Sequence, residues 1–301
     1  FRPGAMERMG FAEELVRQRN PGIIYVSISG FGEHGPYAHK RVYDPVVQAL
    51  SGATDIQADR VTGRPTMFRI ILADKVSALT AAQAVSSALF HRERKGEGQH
   101  IKLSMLDAVV AFFWPEGMNG LTFAKKQTDS KKSFSSIDLV YETNDGYITM
   151  STVSDKEWQG MCKALSREEL IDDERFATAL ARRQHASVRR EVVGEEVAKQ
   201  GTEELMSLLD AHDVPCAPLL DRMEILDHPQ IVASDTIARE VIGDFGEVRQ
   251  ARPAARFDKT ASNLRMPAPK LGEHSLEILQ SLGYNDSRCD ELIADGAVLQ
   301  N

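Results

Sequence analysis

Apolar and polar positions alternate along the first 120 residues in a way that spells strand, loop, helix, strand, helix. Residues 1–20 set Met6, Met9, Phe11, Leu15 and Val16 among charges, which predicts a turn and one amphipathic helix that Asn20-Pro21-Gly22 stops. Residues 23–28 form a short β-branched run, read as a strand buried on both faces of a parallel sheet. That run empties into Ser29-Gly30-Phe31-Gly32-Glu33-His34-Gly35-Pro36, a loop at the carboxyl end of a strand, where open α/β sheets build ligand sites. A helix is predicted over 44–52, with Pro45 in its first turn. Residues 55–68 are polar and turn-rich, and a long helix is predicted from about 72 to 92, with Val76, Leu79, Val85 and Leu89 among alanines. After Lys95-Gly96-Glu97-Gly98, residues 100–103 repeat the strand signal and Met105 opens another helix.

The text changes after Gly120. Residues 125–136 are polar and read as a linker or crossing segment. Two alternating runs around Asn144-Asp145-Gly146 signal a hairpin over 140–150. Mixed-charge helices are predicted from 155 to 211, and Val214-Pro215-Cys216-Ala217-Pro218 is read as leaving that unit. The tail ends in a helix over 275–282 that Gly283 caps.

Composition narrows the function. The chain has 301 residues, 42% of them hydrophobic, enough for two domains. A formal charge of −8 and scattered basic pairs speak against a nucleic-acid partner. Cys162, Cys216 and Cys289 are far apart and odd in number, which predicts reduced thiols in a cytoplasmic protein rather than a disulfide framework. The eight histidines show no metal-ligand spacing, so no metal site is expected. No apolar run is long enough to predict a membrane span.

One carboxylate stands out. Ser104-Met105-Leu106-Asp107 has a capping-box layout, a hydroxyl at the helix start and an acid three residues on. An acid in the first helical turn faces unpaired N–H groups and the positive end of the dipole, so it should be held ionised and in place. Such an acid serves as a cap, and it can also serve as a nucleophile. Asp74, near the start of the long helix, reads as an N-cap or first-turn acid. The loop over 30–36 fits neither a dinucleotide nor a nucleoside-triphosphate pattern.

Several short motifs occur together and in order: Phe1-Arg2-Pro3-Gly4, Arg8-Met9-Gly10, Asn20-Pro21, residues 24–32, Gly35-Pro36, Tyr43-Asp44, the turn over 96–99, Ser104 to Ala108, and Leu271-Gly272-Glu273-His274. As a set they resemble the class III CoA-transferases, the CaiB/BaiF family that includes formyl-CoA transferase. The resemblance implies an α/β protein, with an open Rossmann-like layered large domain and a smaller α+β domain, assembled as an interlocked homodimer. It places a first part of the large, CoA-binding domain at 1–128, the small domain at 137–214, and a return segment with the C-terminal part of the large domain at 215–301. Family chains carry a further α/β segment before the Phe-Arg-Pro-Gly match, so the large domain is expected to be incomplete at its N-terminus.

The resemblance also implies a reaction. Coenzyme A would move from an acyl-CoA donor to a carboxylate acceptor, with Asp107 as nucleophile, through aspartyl anhydride and aspartyl-CoA thioester intermediates. Arg8, Arg41 and Tyr43 fall at positions matching the CoA-binding surface, and Ser29, Gly30, Phe31 and Gly32 would lie against the CoA arm. The glycine-rich lid of formyl-CoA transferase has no match between Gly120 and Tyr141. Two other readings are a 2-methylacyl-CoA racemase and a non-catalytic CoA-binding or scaffold protein. The racemase branch has a histidine where Tyr43 stands, usually has glutamate where Asp107 stands, and has an acid matching Asp74. A phenol with a pKa near 10 replaces an imidazole poorly near pH 7.

Overall fold

The computed structural model describes residues 2–59, 62–124, 139–242, 245–262 and 268–301. It divides into two compact units, Phe1–Leu139 with Glu169–Val193, and Val140–Glu168 with Gly194–Asn301. The class is mixed α/β, with many helices and small sheets. The polar segment predicted as a crossing, 125–136, lies outside the described residues.

The first unit begins with two short helices, α1 (Ala5–Arg8) and α2 (Glu13–Arg19), where one helix was expected. Gly10 sits between them at φ +84°, a left-handed conformation that ends the first turn and redirects the chain. Strands β1 (Ile24–Ser29) and β2 (Gln99–Ser104) pair in parallel, in register from Ile24 with Gln99 to Ser29 with Ser104. The connection between them holds α3 (Asp44–Leu50), the single turn α4 (Ala53–Ile56) and the 24-residue α5 (Leu72–Lys95). Gly96 closes α5 in the left-handed conformation, at φ +77°. Chain connectivity then fixes directions. Because β2 follows α5 after only three residues, α5 ends near the start of β2 and begins near the carboxyl ends of both strands.

The strand expected to be buried on both faces is only partly so. Residues 24–29 are intermediate or exposed, and Ile28 retains 43% of its surface, because β1 has a single strand partner among the described residues. Burial is concentrated instead in the helix layer. Val47 of α3, Ala73 and Val76 of α5, and Ala108 and Val109 of α6 (Met105–Phe113) form one cluster, with Phe68, Leu103 and Phe113 packed against it. Phe68 and Phe113 stack with ring centres 5.7 Å apart.

The second unit contains the predicted hairpin, β3 (Val140–Glu142) and β4 (Tyr147–Met150), closed by Thr143 N–H donating to the Gly146 carbonyl at 2.9 Å. Helices α7 (Asp155–Ala164) and α10 (Thr202–Ala211) of this unit pack on each other, while α8 (Ala179–Gln184) falls in the first unit's second segment and the division of the chain falls within α9 (Ala186–Val197). The segment read as leaving the unit instead returns to it. Strand β5 (Cys216–Pro218) pairs antiparallel with β4 as an edge strand, a place where proline is tolerated. Three further features had no sequence signal: α11 (Pro229–Ala233), the hairpin β6 (Ile237–Ile242) with β7 (Gly246–Ala251), and the last helix, α13 (Asp286–Ala294). The expected C-terminal helix is α12 (Ser275–Ser281), with Gly283 left-handed just after it.

Candidate active site

The carboxyl edge of the β1–β2 pair gathers most of the residues singled out in the sequence. Ser104, last residue of β2, is the N-cap of α6, and its Oγ accepts from the Asp107 N–H at 3.2 Å. Only this half of a capping box is made. At α7 both halves form, since Glu157 reaches back to the Ser154 N–H at 2.7 Å. Aspartate is one methylene shorter than glutamate, and the Asp107 side chain is left exposed. Among the described residues no hydrogen bond or ion pair reaches the Asp107 carboxylate, so its backbone is fixed while its oxygens stay open to an incoming group. The sequence expectation of a carboxylate held in place is thus met at the backbone and not at the side chain.

The glycine loop wraps this corner. Leu106 N–H, in the first turn of α6, donates to the Gly30 carbonyl at 3.1 Å. A Cβ at Gly30 would fall 2.5 Å from Val42, and the position is buried. Ser29 Oγ accepts from Gly32 N–H at 3.1 Å, and Gly32, at φ +80°, faces Ser104 closely enough that a Cβ would meet that residue at 3.9 Å. Phe31 packs edge-on against Tyr37, and Lys40 Nζ lies 3.5 Å above the Tyr37 ring. Glu33 pairs with Lys102 of β2 at 2.6 Å, tying the loop to the sheet. The Lys102 ammonium holds the Glu33 carboxyl below its ordinary range, and Glu33 in turn raises Lys102.

Ser29, Gly30, Phe31, Gly32 and Asp107 therefore stand together. Tyr43 is the N-cap of α3 and is 80% exposed, with Arg41 exposed two residues earlier. Arg8 ends α1 and is exposed, and among the described residues no hydrogen bond joins it to the glycine loop or to α6.

Two more residues belong to this edge. Asp74 is exposed in the first turn of α5, and that turn lies at the same carboxyl edge. Its helix is not capped by Asp74 but by Asp44. The Asp44 carboxylate, only 4% exposed, accepts from Ala73 N–H at 2.6 Å and from Asp74 N–H at 3.3 Å. The motif Tyr43-Asp44 had marked Asp44 only as part of a pattern. Its task escaped the sequence because Asp-Pro at a helix start reads as a local first-turn acid, and nothing local says which helix the carboxylate serves.

Among the described residues no group of three or more His, Cys, Asp or Glu is placed to hold a metal ion, and no helix is long and apolar enough to cross a membrane.

Comparison with known proteins gives the family. A profile of CoA-transferase family III matches residues 1–275. An "acyl-CoA transferase" of Fusarium pseudograminearum is 29% identical over 304 residues, covering 99% of this chain and 66% of the relative. A "succinate--glutarate CoA-transferase" of Agrobacterium fabrum is 30% identical over 285 residues, covering 94% of this chain and 71% of the relative. The crystal structure of a CaiB/BaiF family protein from Brucella suis superposes with a TM-score of 0.75 at 28% identity, over 94% of this chain and 74% of that one. The chain belongs to CoA-transferase family III, an enzyme family of the transferase class. It spans about two thirds of the length of the curated relatives it matches, 66% and 71% for these two.

Proposed function

We propose that this protein moves coenzyme A between carboxylic acids, with an acyl-CoA as donor and a free carboxylate as acceptor. The observation that carries the reading is an exposed carboxylate, Asp107, on the first turn of α6, where two parallel strands end and a glycine loop closes in. The Asp107 carboxylate oxygen attacks the donor's thioester carbon, the C–S bond breaks, and CoA leaves as thiolate. The mixed anhydride so formed is attacked at the aspartyl carbonyl by that thiolate, which expels the donor acid and leaves an aspartyl-CoA thioester. The acceptor carboxylate then attacks the aspartyl carbonyl and frees the thiolate again. Thiolate attack on the acceptor's acyl carbon completes the new acyl-CoA and returns Asp107 as carboxylate. Two easier exchanges replace one hard one. Oriented N–H groups at the start of α6 favour negative charge developing there.

In this reading Ser29, Gly30, Phe31 and Gly32 cradle the CoA arm, and Arg8, Arg41 and Tyr43 receive its nucleotide and phosphates. An interlocked homodimer and a cytoplasmic setting complete the proposal.

A second reading of the nucleophile rests on the structure itself. Asp74 is also exposed, also in a first turn and at the same edge, and it opens a helix of 24 residues, the longest described. The mechanism is unchanged if Asp74 is the attacking group. Incubation with succinyl-CoA, hydroxylamine trapping and peptide mapping decide between the two. A hydroxamate at Asp107 is the expected result, one at Asp74 moves the nucleophile to α5, and its absence from both refutes the covalent route. Solvent deuterium entering the α-position of a 2-methylacyl-CoA would instead support the racemase reading.

A further inference from the structure

Asp44 and Gln48 form a buried bracket that the mechanism above does not use. Gln48 is 1% exposed, and its Nε2 donates to Asp44 Oδ1 within one face of α3. The same amide accepts from Phe68 N–H at 3.0 Å and donates to the Ile70 carbonyl at 3.2 Å. Asp44 Oδ2 takes the first N–H groups of α5, from Ala73 and Asp74. Two side chains from one helix thus hold the chain at 68, 70, 73 and 74. Ile71, the N-cap of α5, has no side-chain oxygen, so this helix start depends on a carboxylate from elsewhere in the fold.

Helices α5 and α6 pack together, and Ala73 and Val76 of α5 share one buried cluster with Ala108 and Val109 of α6, so a shift of the first turn of α5 is felt in the helix that carries Asp107. A buried acid with three N–H donors is a stiff anchor, because each lost bond leaves a buried polar group unmatched. We infer that Asp44 is a positioning residue for the transfer reaction: through Ala73 and Asp74 it sets the first turn of α5 at the edge where the exposed carboxylates Asp74 and Asp107 meet the substrate. This rests on the function proposed above, and it assigns Asp44 no contact with substrate.

The test measures steady-state transfer from succinyl-CoA to glutarate by the full chain, corrected for the folded fraction. Asp44→Asn keeps the shape and loses the charge. It should lower kcat about 10-fold or more, with KM for succinyl-CoA within about 3-fold of wild type. Gln48→Ala, which spares the Asp44 bonds to Ala73 and Asp74, should give a smaller fall in kcat and supplies the answer if Asp44→Asn does not fold. The control is Asp145→Asn. Asp145 also caps a helix from a distance, accepting from Thr202 N–H at the start of α10 at 2.8 Å. That variant should lose thermal stability and keep kcat. Wild-type kcat per folded molecule in both Asp44→Asn and Gln48→Ala, with transfer abolished by Asp74→Asn or Asp107→Asn, would overturn this inference and leave the proposed site standing. Full transfer in the double variant Asp74→Asn/Asp107→Asn would overturn both this inference and the proposed site.

Discussion

Leu106 and Gly30 are joined by one backbone hydrogen bond, 3.1 Å from the first turn of α6 to the residue that follows β1. The bond is short-range in space and long-range in sequence, and it seats the glycine loop on the helix that carries Asp107. It forms only because Gly30 has no side chain, since a Cβ there would lie 2.5 Å from Val42.

Gly30→Ala should therefore destabilise the fold by about 1–3 kcal/mol through overpacking against Val42. Val42→Ala should cost less by itself and should recover part of the loss in the double variant. Chemical denaturation of the three variants checks this, and a purely additive pair would show that the γ-methyls of Val42 are not the cause.

Cys216 should be a sluggish thiol. Burial, followed by the nearby Asp210 carboxylate, pushes its pKa up to about 11. Its thiolate fraction at pH 8 is then roughly 100-fold below that of an ordinary cysteine, although a more basic thiolate reacts somewhat faster once formed. Iodoacetamide labelling of the native protein at pH 8 should modify Cys216 at least about 10-fold more slowly than a free thiol. Cys162 and Cys289 are buried and should label only on unfolding.

Asp173 gives an acid limb to the stability profile. The Arg175 guanidinium and N–H hold its carboxyl down to about 2. Because the folded value is depressed, the pair stabilises the protein above the unfolded value near 4, and that contribution fades as pH falls from about 4 towards 2. Melting temperatures of wild type and Asp173→Asn should differ at pH 6 and converge near pH 2. The exposed pair should also weaken in high salt. A difference that persists unchanged at pH 2 would exclude this ionisation as its source.

Local pattern was enough to find much of the first unit. The β-branched run 24–28, the alanine-rich α5 and the Ser104–Asp107 start of α6 all announce themselves through spacing and caps. What could not be seen was interaction across the chain. Asp44 serves Ala73, 29 residues away, and Cys216 to Pro218 become a strand only because β4 offers an edge. The split of residues 1–20 into α1 and α2 turns on the single left-handed Gly10, which a period of 3.6 passes over. The hairpin β6–β7 lacks the clean alternation of a half-buried strand, since Val241 is 83% exposed. For the site, the sequence located Asp107 and the glycine loop. It named Asp74 only as a helix-start acid, because the edge that unites it with Asp107 is a product of the crossover.

The most direct test is the mass of a trapped intermediate. Protein mixed with succinyl-CoA, quenched with hydroxylamine and digested should yield a hydroxamate on the peptide that contains Asp107, and Asp107→Asn should lose both that adduct and the transfer of CoA to glutarate. Undiminished transfer by Asp107→Asn, with no adduct on that peptide in the wild type, would contradict the assignment.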